Sequence, residues 1–327
     1  MALFRAITHR NCKIDLSDEL SGFYGLHRSG WLWAISNLKK LHNPHGVLFD
    51  SFIERSFAWN PQKIRSHKRP WIGFIHVPPN VPEWFQNYQS NDSIINSNVF
   101  QKSYPFCRGL FTLSNYHRKN LVNKLHVPIN NLYLPTETPQ LKWTREHFEK
   151  NKDKKIVQAG WYLRKLHAIF QLPKSSYKKK FLKINYFSID PLIERERERL
   201  MAQEEFTPDM YETAEIIEFV SNDAYDKLLA ENIFFLNLYD ANANNVVVEC
   251  IVRNTPLLVN PIEGVKEYLG GDYPFYYETL EEAVEKAENK DLVCRTHEYL
   301  KNHSFKEKLS GKYFLNSFKD SEIYKSL

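Results

Sequence analysis

The order of apolar and amphipathic segments predicts an α/β protein made of two parallel-sheet domains facing a cleft. Three observations predict it. Short apolar runs alternate with amphipathic stretches along most of the chain, the pattern of a parallel sheet with helices on both faces. The 327 residues are enough for two domains, each with its own core. Composition changes near the middle. Residues 1–150 hold 19 Lys and Arg against 10 Asp and Glu, a net +9, whereas residues 151–327 hold 25 against 29, a net −4. All seven tryptophans lie between Trp31 and Trp161.

In the first half, residues 46–50 and the apolar run 71–77, which ends at Pro78-Pro79, read as strands, as do 109–113 and 132–134. Ser114 suits the N-cap of a helix over 116–125. Residues 136–153 are polar, carry Pro139 and several lysines, and read as a linker, which places the domain boundary at 150/151. In the second half, 155–158, 216–220, 233–238, 256–260 and 273–277 read as strands. Helices are expected over 223–230, 265–269 and 279–289, the last opened by the capping box Thr279-Leu-Glu-Glu282. Residues 246–253 fit a helix by position but are β-branched enough to fit a strand. The run Glu194 to Arg199, alternating in charge, reads as a solvated helix.

Several classes of protein are disfavoured. No apolar run reaches the length of a bilayer span, and the N-terminus lacks an apolar signal core, so a cytoplasmic location is expected. The four cysteines are widely spaced and form no CxxC pair, which argues for reduced thiols and against a zinc site. Neither GxGxxG nor a Walker A motif occurs, and no DxD tripeptide is present to place a metal on a diphosphate. The basic first half suits an anionic acceptor or a peripheral membrane contact, and a nucleic-acid partner is disfavoured.

The chemistry concentrates in the second half. The loop 240–245 lies between a strand and a probable helix, where backbone N–H groups and a helix dipole favour phosphate. Asn244 and Asn245 add uncharged amides, and Glu249, four residues after Asn245, shares its helix face. Such a carboxylate suits ribose hydroxyls, or simply pairs with Arg253. In the first half, His76 ends a buried strand and suits a base or a hydrogen-bond donor. Tyr24 and His27, near a glycine-containing loop, and Trp84 are candidates for holding an acceptor.

The stretch 238–277, with "LYDANANNVVVECIVRNTPLLVN" and "EYLGG", resembles the donor-binding segment of GT-B glycosyltransferases related to the polysaccharide-type family 4. "GWYLRKLHAI" at 160–169 is similar to their first C-terminal loop. The resemblance implies two Rossmann-like domains, with the donor in 151–310, the acceptor in 1–150, and a segment 311–327 crossing back to the first domain. It implies that Arg164 and Lys165 neutralise the donor diphosphate, that Glu249 binds ribose, and that Asn244 and Asn245 approach sugar or phosphate. It implies a metal-independent transferase, retaining rather than inverting, using a nucleotide-diphosphate sugar as co-substrate and no other cofactor, with a glycan or lipid-linked acceptor. The family pair of glutamates eight positions apart is broken: Ala241 stands at the first place, with Asp240 beside it as the candidate catalytic carboxylate. A GT-B nucleotide-sugar epimerase, a DNA glucosyltransferase and a non-catalytic nucleotide- or glycan-binding protein remain alternatives.

Overall fold

The computed structural model describes residues 12–20, 30–59, 62, 64–183, 189–218 and 220–327. Ten strands are described: β1 (Ile14–Asp15), β2 (Val47–Asp50), β3 (Trp71–Ile75), β4 (Cys107–Thr112), β5 (Ile129–Asn131), β6 (Lys155–Ala159), β7 (Lys178–Leu182), β8 (Glu215–Ile217), β9 (Ile233–Leu236) and β10 (Leu257–Val259). The helices that matter below are α1 (Trp31–Leu38), α2 (Asn115–Leu121), α3 (Arg145–Lys150), α4 (Ile189–Ala202), α5 (Asn222–Glu231), α6 (Asn245–Arg253), α7 (Glu263–Leu269), α8 (Leu280–Glu288), α9 (Lys290–Lys301), α10 (Gly311–Asp320) and α11 (Glu322–Ser326). They form two compact units, Met1–Glu137 with Glu307–Leu327, and Thr138–Lys306. Among the described residues no helix is long and apolar enough to cross a membrane.

The first unit is built on a parallel sheet in the order β1-β2-β3-β4-β5. One face packs Trp71, Ile75 and Leu110 against Ile53, Phe57 and Phe100. The other carries Phe49, Phe74 and Phe111, onto which α10 lays Phe314 and Phe318; the Phe111 and Phe318 rings stack at 5.1 Å. That apolar contact holds the C-terminal segment on this unit. Ser114 caps α2 by accepting from His117 N.

The second unit carries a parallel sheet in the order β10-β9-β6-β7-β8. Its first strand, β6, therefore lies at the centre, with the chain running outward to β8 and then crossing back to β9. The strand order reverses between β6 and β9, the place where open α/β sheets bind ligands.

Several expected elements differ from those observed. Residues 132–134 are not a strand; the pairing runs one step earlier, with Ile129 opposite Leu110, and Leu132 N closing on Thr112 O. Residues 273–277 make one bridge, Val259 to Tyr276, because the Tyr273 and Tyr277 hydroxyls bond the carbonyls of Leu257 and Leu236 and lock the segment as a turn. β7 was hidden by its lysines: Lys179 is buried and spends its ammonium on Leu172 O. The expected linker is not free chain. It holds α3, and Trp143 is fully buried, its indole donating to Asn232 O and its backbone N to Arg253 O.

Gly109 in β4 lets α11 approach: a Cβ there would stand 2.5 Å from Cγ1 of the fully buried Ile323. Gly109→Ala is expected to cost about 1–3 kcal/mol of overpacking and to loosen the C-terminal segment. Limited proteolysis should then cut residues 321–327 faster than in wild type; an unchanged cleavage rate would show that the contact does not hold the segment.

Candidate functional site

The reversal between β6 and β9 brings together the loops that follow the two strands. Lys165 N donates to Asn237 O at 2.7 Å and Tyr239 N to Leu163 O at 3.0 Å, so the loops are joined backbone to backbone. Asn260, just beyond β10, fastens the second loop from its other side: its Oδ1 accepts from Leu238 N and its Nδ2 donates to Leu238 O.

The first loop turns at Gly160, whose φ of 82° lies in the left-handed region. The turn folds Arg164 back under the loop, where it is buried. Nη1 donates to Tyr162 O and Nη2 to Asn244 Oδ1 at 3.2 Å, while Nε has no partner. Burial pulls the guanidinium down to about 10, with Tyr225 and Glu249 acting in the opposite direction. It stays charged at neutral pH. Lys165 is exposed, its Nζ 5.8 Å from the centroid of the Tyr239 ring.

The second loop ends at Asn244, which takes extended backbone angles and caps α6 by accepting from Val246 N and Val247 N. α6 is a helix although three valines and an isoleucine make it a weak helix former. Every residue of 246–251 is buried, so packing overrides propensity. Asn245, in its first turn, is exposed.

Glu249 lies one turn further and is buried, accepting from the Tyr225 hydroxyl at 2.7 Å. Burial, and then the Glu249 charge, push that phenol far up, so it remains a donor. The structure thus brings buried Arg164, Glu249 and Tyr225 together with half-buried Asn244, with Lys165 and Asn245 exposed at the two loops. Two of the N–H groups expected to face an anion are already taken by the Asn244 side chain. Asp240 is buried, and its Oδ1 accepts from Ala241 N, inside its own turn.

In the first unit, His76 follows β3. Its Nε2 lies 2.8 Å from Ser51 O, a group that only accepts, so Nε2 carries the proton and Nδ1 the lone pair. The ring stacks on Phe52 at 3.8 Å and meets Trp31 edge-on. Burial lowers the imidazole to about 3, so it is neutral at physiological pH. Glu54, which accepts from His76 N and Val77 N, is raised to about 7 by burial. Trp84 is half-buried and packs edge-on against Phe85 at 5.5 Å. Tyr24 and His27 lie outside the described residues.

Four residues of the site escaped sequence reading. Tyr225 looked like an ordinary helix position. Asn260 closes an apolar strand, and an amide at a strand's carboxyl end was its only signal. His167 and Glu196 pair in the interior at 2.8 Å. The run around Glu196 was expected to be solvated, but Glu196 is only 1% exposed; alternating charge hides the single inward position.

No protein-family model matches the chain, and no curated protein matches it. Solved structures do. The UDP-forming α,α-trehalose-phosphate synthase of Burkholderia vietnamiensis has 12% identity and a TM-score of 0.54 over 90% of this chain and 76% of that one. TarM has 12% identity and a TM-score of 0.58 over 89% of this chain and 57% of its own length. Anabaena HepE, in complex with UDP and glucose, has 11% identity and a TM-score of 0.58 over 80% of this chain and 72% of that one. These are glycosyltransferases of the GT-B fold, and the chain has that fold.

A Cβ on Gly160 would stand 2.6 Å from the Arg164 guanidinium carbon. Gly160→Ala is therefore expected to displace Arg164 and cost about 1–3 kcal/mol through strain at positive φ. A denaturant midpoint equal to wild type would mean that Arg164 is not fixed by this turn.

Proposed function

We propose that the chain is a glycosyltransferase that holds a nucleoside-diphosphate sugar at the β6–β9 reversal. The observation that carries this reading is the pair of joined loops there, with a charged Arg164 behind them and an exposed Lys165 in front. In this reading Lys165 contacts the diphosphate directly. Arg164 adds its field through Asn244, and the α6 N-terminus supplies a partial positive charge. Asn245 meets phosphate or sugar. Glu249, bonded to Tyr225, reaches ribose only if the tyrosine yields its place, and otherwise balances the Arg164 charge. Charge neutralisation by these groups is the metal-independent part of the proposal. Asp240, which caps its own loop, shapes the turn in this reading rather than reacting.

The acceptor, a glycan or glycolipid, falls to the first unit, with Trp84 and the Tyr24 and His27 region as its contacts. Peripheral membrane contact through basic residues 1–150 belongs to the same proposal. Retention is the favoured stereochemistry. A histidine lowered to about 3 is a poor base at neutral pH, so His76 would not remove the acceptor's proton. The acceptor oxygen then bonds the anomeric carbon as the bond to the diphosphate oxygen breaks, and the departing phosphate oxygen takes the acceptor's proton.

Melting temperature measured with UDP, GDP, ADP, CDP and dTDP tests the donor site. One of them at a hundredfold excess over its Kd should stabilise the protein by about 2.7 kcal/mol, with EDTA making no difference. Lys165→Ala should weaken that nucleotide about 10- to 100-fold, the worth of a charge-assisted hydrogen bond, and leave the unliganded melting point unchanged. No shift with any nucleotide would remove the donor site.

A further inference from the structure

Behind the donor loops, Glu196 of α4 accepts hydrogen bonds from both. Its Oε2 takes the backbone N of His167 at 2.9 Å and the Nδ1 of the same ring at 2.8 Å. Its Oε1 takes the Tyr239 hydroxyl at 2.8 Å. His167 belongs to the segment after β6 and Tyr239 to the loop after β9, so one buried carboxylate spans the reversal of the sheet. The far side of the imidazole is fixed as well, with Nε2 2.7 Å from the Tyr211 hydroxyl. Hydrogen bonds therefore link Tyr211, His167, Glu196 and Tyr239 in sequence.

Tyr239 also faces the one exposed cation of the first loop. Its ring lies beneath the Lys165 ammonium, 5.8 Å away. A phenol that donates to a carboxylate gains electron density in its ring, which strengthens its hold on a cation.

We propose that Glu196 is a positioning residue of the donor site, fixing the separation of the two loops and, through Tyr239, the place of the Lys165 ammonium. The proposal rests on reading that site as a nucleotide site. It assigns to a residue outside the loops the preorganisation that a diphosphate site needs, because a lysine on a flexible stem would otherwise lose entropy at each binding event.

Hydrogen exchange and a double-mutant cycle test it. In unliganded protein, Tyr239→Phe should speed exchange of amides in 237–245 about tenfold, the worth of one bond to a charged group. Glu196→Ala should do the same for both 160–167 and 237–245. If Glu196→Ala does not fold, Tyr239→Phe alone decides the point. Unchanged exchange in the phenylalanine variant overturns the clamp. Calorimetry with whichever of those five nucleoside diphosphates raises the melting temperature most then compares wild type, Lys165→Ala, Tyr239→Phe and the double variant. Lys165→Ala should cost several-fold less affinity in the Tyr239→Phe background than in wild type; equal costs overturn the link from Glu196 to Lys165. If wild type binds none of UDP, GDP, ADP, CDP and dTDP, the nucleotide-site reading fails, while the exchange result still decides the clamp.

Discussion

Two backbone hydrogen bonds, Lys165 N to Asn237 O and Tyr239 N to Leu163 O, carry the arrangement on which the site depends. They exist because the second sheet starts at its centre and reverses direction, which leaves the ends of β6 and β9 side by side. Once joined, the loops have few ways to satisfy their polar groups. Arg164 is turned inward by Gly160 and meets Asn244; Asn244 caps α6; α6 presents Glu249 to Tyr225. Each step follows from the need to pair a buried polar group. A buried group that pairs the Arg164 and Glu249 charges results, and the exposed ammonium of Lys165 is left to meet an anion.

Much of this was legible in the sequence. The alternation of segments gave the class of fold because a buried parallel strand is a short apolar run, as 233–236 and 257–259 are. Asn244, Asn245 and Glu249 drew attention by their position between a strand and a helix start, and Arg164 and Lys165 through the resemblance of 160–169 to a GT-B loop. Their division into buried and exposed members was not, since adjacent Arg164 and Lys165 are chemically alike and only the turn at Gly160 separates them. β7 was missed because its outward lysines mask a strand buried on its other face. Glu196 was missed because a run of alternating charge gives no sign of which carboxylate turns inward. Tyr225 and Tyr239 act through hydroxyls aimed at residues far away in sequence, a long-range pairing that local pattern cannot report.

Both units bury charged side chains. In the second, Arg164 and Glu249 lie near each other in the interior, each with hydrogen-bond partners. In the first, burial keeps His76 neutral and raises Glu54 to about 7, while the buried carboxylates of Glu19, Asp15 and Asp50 lie against Arg55, Arg69 and His67. A charged interior suits a site for a multiply charged phosphate ligand. The aromatic cluster of Phe52, Trp31 and His76 in the first unit suits contact with a hydroxylated surface such as a sugar ring.

The central claim is that a nucleoside diphosphate sits against the joined loops of the second unit. A crystal structure of the protein soaked with UDP tests it most directly. The account predicts diphosphate density within hydrogen-bonding distance of Lys165 and the first turn of α6, with the loops still joined. Density for the nucleotide on the first unit, or on the second unit away from residues 160–165 and 242–249, would contradict it.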